Sequence, residues 1–108
     1  MSAREKAFIL PFTDAPRHFS VITEVELLGW HKISRREAGI ILEALSFCVR
    51  HPVTDAVLEQ AISIKQAQKL KTTDALIAAT AITLQMPVLT ADKEFAPIKG
   101  LDIILIEL

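Results

Sequence analysis

Apolar positions recur every three or four residues through the middle of this 108-residue chain and condense into short runs near its ends. From Thr54 onward, Val57, Leu58, Ala61, Ile64, Ala67 and Leu70 follow helical spacing, with the threonine placed to cap a helix reaching to about residue 70. Ile40, Ile41, Ala44, Leu45 and Cys48 mark another such face. It lies behind Ser34-x-x-Glu37, a capping box that predicts a helix through about residue 49. Thr23-x-x-Glu26 matches the same box and predicts a helix over residues 23–30, with Gly29 near its end. Thr72 or Thr73 caps a fourth, Ala-rich helix that runs to about residue 85 and stops before Pro87.

The short runs read as strands. Residues 18–22 and 88–90 are brief. Residues 101–106 form a nearly continuous apolar run, the pattern of a strand buried on both faces of a parallel sheet. His51-Pro52-Val53 is a break or a very short strand. Residues 4–12 are apolar-rich and stop near Pro11 and Pro16; periodicity leaves helix and extended chain equally open there. Strands alternating with longer helices predict an α/β fold with a parallel sheet, in which ligands collect beyond the C-terminal ends of the strands.

Three acids fall at such places. Asp74 opens the Ala-rich helix, Asp92 follows the strand at 88–90, and Glu26 follows the strand at 18–22. Each has a structural explanation: Glu26 as the last residue of a capping box, Asp74 as an acid favoured by the helix dipole, Asp92 as a turn residue. Together they point to chemistry. Crowded carboxylates raise one another's pKa, and a divalent cation such as Mg²⁺ or Mn²⁺ removes that penalty by taking oxygen ligands. A metal so held suits phosphodiester hydrolysis. Lys65, Lys69, Lys71 and Lys93 lie nearby in sequence, either as phosphate contacts or as solvated helix faces.

Composition narrows the field. The chain is 51% hydrophobic and 23% charged, a globular balance, and its net charge of -1 gives no overall bias toward nucleic acid. One cysteine, Cys48, excludes an internal disulfide and reads as a structural thiol. No apolar run is long enough to span a bilayer and no signal peptide is evident, so a cytoplasmic location is expected. His18, His31 and His51 show no ligand spacing and read as structural or surface residues. Glycine-rich phosphate loops, nucleophile elbows and CxxC pairs are missing from the sequence.

The segment Thr73-Asp74-Ala75-Leu76-Ile77-Ala78-Ala79-Thr80-Ala81, followed by Val88-Leu89-Thr90-Ala91-Asp92-Lys93-Glu94-Phe95, resembles the PIN domain, in particular the VapC-type toxin ribonucleases. Phe19-Ser20-Val21-Ile22-Thr23-Glu24-Val25-Glu26-Leu27-Leu28-Gly29 carries the second part of the likeness. The resemblance implies a three-layer α/β/α fold with a mainly parallel sheet, spanning residues 1–108 as one domain. It implies Mg²⁺- or Mn²⁺-dependent cleavage of RNA by an activated water. The family's acidic positions map onto Glu26, Asp74 and Asp92 as catalytic ligands, with Glu94 as a further metal ligand and Glu24 the alternative to Glu26. Lys69, Lys71 and Lys93 become the expected RNA contacts. A cognate antitoxin and a second copy of the chain become the expected partners.

The start of the chain departs from that pattern. The family opens with an apolar strand, central in the sheet, that ends in an aspartate ligand, whereas residues 1–12 look like the helix that normally comes later. Asp14 ends no apolar strand and is not a substitute. The chain is thus expected to be a natural remnant or to have a start assigned too late, and to lack one ligand. The first strand is then missing or rearranged. The gap it leaves would be closed by the N-terminal segment moving in, by a rearranged sheet, or by dimerisation or strand exchange.

Overall fold

The computed structural model describes residues 8–9, 16–90 and 92–105. Its elements are β1 (Phe8–Ile9), β2 (His18–Ser20), α1 (Val21–Leu28), α2 (Arg35–Ser46), β3 (Val49–His51), α3 (Asp55–Ala67), α4 (Thr72–Leu84), β4 (Val88–Thr90), a 3₁₀ turn (Lys93–Phe95) and β5 (Ile103–Leu105). The strands form one sheet in the order β3-β2-β1-β4-β5. β2 runs parallel to β3, and β4 parallel to β5, while β1 pairs antiparallel with both β2 and β4. Four of the described strands therefore point one way and the central one points the other.

The N-terminal segment occupies that centre: Ile9 sits opposite His18 on one side and Val88 on the other. Phe8 and Ile9 are extended, which decides against a helix at those two positions; the rest of residues 1–12, and Asp14, lie outside the described residues. Ile9 is fully buried and packs with Val57, Ala61 and Ile64 of α3, with the alanines and Ile77 of α4, and with Val88, Phe95 and Ile98. Phe19 points to the opposite face, as the alternation along a strand requires, and packs with Leu27 of α1 and Leu45 of α2. Apolar clusters on both faces of the sheet make the three layers.

Helix boundaries shift where a cap was misjudged. Ser34 forms the capping box as expected, its hydroxyl accepting from the Glu37 N–H at 3.0 Å while the Glu37 carboxylate accepts from the Ser34 N–H at 3.2 Å. Thr54 likewise caps α3. Thr23 does not cap α1: Ser20, the last residue of β2, does so from inside the sheet, accepting from the Ile22 N–H at 3.1 Å. Thr23 is buried in the first turn instead. Neither Thr72 nor Thr73 caps α4, whose N-cap is Lys71 with no side-chain bond. α2 ends at Ser46 and α3 at Ala67, short of residues 49 and 70, because Val49 joins β3 and the chain turns toward α4. Gly29 closes α1 where a Cβ would collide with the Val25 carbonyl oxygen.

β5 starts at Ile103, inside its apolar run, and lies at the sheet edge, with Ile104 40% exposed, so it is not covered on both faces. Cys48 is half-buried and its thiol donates to the Ala44 carbonyl, a structural role. His31 is exposed. Among the described residues, no helix is long and apolar enough to cross a membrane.

Candidate metal centre

β2 and β4 run in the same direction, so their C-terminal ends open on one edge of the sheet. β2 passes directly into α1, which carries Glu26, and β4 leads to Asp92. α4 arrives over the same region with Asp74 in its first turn. The Ala-rich sequence of α4 makes this approach close. Ala75, Ala78, Ala79 and Ala81 are all fully buried, and small side chains let the helix axis lie near the sheet.

With its own cap missing, the start of α4 is held by Lys65. The ammonium of Lys65 donates to the Leu70 carbonyl at 3.2 Å and to Thr72 Oγ1 at 2.9 Å. Two residues on, Asp74 is 8% exposed, and its Oδ2 has no hydrogen-bond partner. Leaving a buried carboxylate oxygen unpaired costs about 1–3 kcal/mol or more. The helix N-terminus offsets part of this.

Asp92 is held at both ends. Its N–H donates to Thr90 Oγ1 at 3.0 Å, and its Oδ1 accepts from the Glu94 N–H at 2.9 Å, capping the 3₁₀ turn. Phe95, 1% exposed, anchors that turn in the core. Asp74, Asp92 and Glu94 each present a carboxylate oxygen, and these atoms lie within 4.8 Å of one another. Glu26 stands outside this triplet, but its charge reaches Asp74. Glu24 is turned away: its carboxylate accepts from Arg50 of β3, at 3.1 Å from Nε and 3.4 Å from the guanidinium terminus.

The electrostatics follow the geometry. Burial pushes the Asp74 carboxyl above the ordinary aspartate range, and the charges of Asp92 and then Glu26 push it further; Lys71 pulls it back, and Glu94 adds a last upward push. An acid raised by three other acids, with one oxygen orphaned, is a site short of positive charge. A hard divalent cation supplies that charge and takes oxygen ligands about 2 Å away. Glu94 is exposed, with room to adjust its carboxylate to such an ion. The residues present therefore fit the group, with Asp74, Asp92 and Glu94 as holders and Glu26 beside them.

Lys69, Lys71 and Lys93 are all exposed; Lys71 lies close enough to act on Asp74, and Lys65 is engaged in the clamp. Sequence reading missed the clamp and the Thr90 hydroxyl behind Asp92. A lysine seven residues before a helix start carries no local signal, but Thr-x-Asp is a recognisable turn pattern.

The PIN domain family model matches residues 4–101. No curated relative matches the chain in sequence. Solved structures do match in three dimensions. A toxin–antitoxin complex from Klebsiella pneumoniae superposes with a TM-score of 0.70 at 28% identity, over 82% of this chain and 73% of that one. VapBC2 from Rickettsia felis, bound to a DNA fragment from its promoter, gives 0.71 at 20% identity, over 82% and 73%. VapBC-5 from Mycobacterium tuberculosis, of the VapBC family of toxin–antitoxin systems, gives 0.64 at 21% identity, over 81% and 79%. At their low identity, the last two speak to the fold alone.

Proposed function

The chain belongs to the PIN domain family, and from that premise we propose that it is a metal-dependent endoribonuclease of the VapC type, the toxin of a type II toxin–antitoxin pair. The observation that carries this reading is the buried Asp74, whose Oδ2 is unpaired and whose carboxylate lies with those of Asp92 and Glu94 in one cluster. Mg²⁺ or Mn²⁺ is the cofactor such oxygens select. When bound, the ion would lower the pKa of an attacking water and offset charge building on the scissile phosphate. Asp74, fixed by α4, and Asp92, fixed by its two hydrogen bonds, would hold the cation. Glu26 adds negative charge from the α1 side, and Glu94 closes the exposed side. Lys71, with Lys69 and Lys93, would meet the RNA backbone as phosphate contacts that weaken with salt.

The partners follow from surface chemistry. Large apolar side chains are exposed on α1 and α2 (Val25, Ile40, Leu42), at Phe47 just after α2, and on α3 (Leu58, Ile62). Such patches favour burial against an antitoxin and against a second copy of the chain. A cytoplasmic location goes with this role.

A second reading is a catalytically weak or inactive module that keeps antitoxin binding or oligomerisation. One observation favours it. The central strand β1 contributes Phe8 and Ile9 and, among the described residues, brings no acid to the cluster. The purified chain incubated with single-stranded RNA and Mn²⁺ separates the two. Cleavage that stops with EDTA and with Asp74→Asn supports the enzyme; Mn²⁺ binding with no cleavage supports the module. Cleavage that persists in Asp74→Asn would refute the site.

A further inference from the structure

Two histidines face each other across the β2–β3 ladder. His18 Nδ1 and His51 Nε2 are 2.7 Å apart, and the rings stack with centroids 5.0 Å apart and an interplanar angle of 21°. The parallel register sets His18 against Val49 and Ser20 against His51, which puts both rings on one face of the sheet. Both are half-buried. A nitrogen pair this close needs one N–H and one lone pair. Two neutral rings satisfy that, and so does one imidazolium beside one neutral ring. Two imidazolium rings do not, because both facing nitrogens then carry hydrogen.

What the pair holds is slight. β3 is a three-residue strand at the sheet edge. Among the described residues its other ties are the short ladder to β2, contact with α2, the Val49 N–H bond to the Arg17 carbonyl at 2.8 Å, and the Arg50–Glu24 ion pair, with Arg50 59% exposed. We propose that His18 and His51 form a two-proton latch that fixes β3 to β2 while the pair holds at most one proton and releases the sheet edge when the second binds.

Among the described residues, the charged groups near the pair point elsewhere or are exposed. Arg17 is exposed, and Arg50 turns to the other face to meet Glu24 of α1. β1 presents Ile9 beside His18. α3 and α4 turn apolar residues such as Val57, Ala61 and Ala78 into this face; Asp55, Glu59 and Lys65 of α3 are exposed, and Asp74 is the acid among α4's buried residues. The His51 pKa is lowered by burial and then by His18. A histidine with a depressed folded pKa contributes stability above the unfolded value of about 6.5 and loses it as pH falls through the folded value. The release therefore lies on the acidic side of 6.5.

The test is ring-nitrogen NMR of the intact chain from pH 8 to 4.5, with amide exchange followed alongside. The expected result is two coupled imidazole steps, the second below the ordinary histidine range. Protection of the Val49–His51 amides would fall up to about tenfold per pH unit through that second step, while α4 amides hold. In His51→Gln the amide donates or accepts at every pH, so the β3 response should flatten. Independent titration of both rings near 6.5, or β3 protection that tracks α4, would overturn the latch, and the wild-type titration alone decides this if the variant does not fold.

Discussion

Asp74 is the residue on which the chemistry and the stability of this protein disagree. Its folded pKa is raised, so the folded chain holds that proton more tightly than the unfolded chain does. The associated stability is fully present below the unfolded aspartate pKa of about 4 and is lost as pH rises through the folded value. In metal-free buffer, Asp74→Asn should therefore melt higher than the wild type at pH 7.5, with the gap closing toward pH 4; thermal melts in EDTA across that range check it. A divalent cation reverses the sign. At about 100 times its Kd it should add about 2.7 kcal/mol to the wild type and almost nothing to Asp74→Asn. If the chain is a ribonuclease, the same substitution should cost about a hundredfold or more in cleavage, because it removes a ligand from the group that stabilises the charged transition state. The positions of Asp74 and Asp92, at a helix start and after a strand, were legible in the sequence. The orphaned Oδ2 was not, because burial of one oxygen depends on what α4 packs against.

At the level of elements, caps and small residues do most of the placing. The Ser34–Glu37 box has both of its bonds, and Ser34→Ala should cost about 1 kcal/mol in urea unfolding. α4 closes with Gln85 in the left-handed region at φ 55°, where its N–H reaches the Ala81 and Ile82 carbonyls. A side chain is strained there and glycine is not, so Gln85→Gly should gain about 0.5 kcal/mol after its extra chain entropy is counted. The two capping boxes at Thr23 and Ser34 are the same in sequence, and only the second forms. Ser20 supersedes Thr23 because the strand that precedes it already delivers a hydroxyl at the helix entrance. Such competition between adjacent caps is settled by where the strand ends, which local pattern does not specify.

At the level of the whole molecule, a two-residue strand joins both halves of the sheet. Ile9 is fully buried between His18 and Val88 and packs on α3 and α4. Ile9→Ala should cost about 2–5 kcal/mol, the loss expected of a cavity at the centre of a core, and urea unfolding should show it as a lower midpoint with unchanged slope. A loss below about 1 kcal/mol would mean that the sheet holds without β1.

Read alone, the sequence determined the α/β class, the helices behind Ser34, Thr54 and the 72–85 stretch, and the helix start and strand end that present Asp74 and Asp92. All of these rest on periodicities and caps spanning a few residues, which short-range sterics and hydrogen bonding enforce. The tertiary structure decided the antiparallel direction of β1, the edge position of β5, the turning of Glu24 toward Arg50, the Lys65 clamp and the meeting of His18 with His51. Apart from the clamp, whose partners lie five and seven residues away, each of these joins groups distant in the chain, and the energies come from pairing, burial and charge that no local pattern encodes.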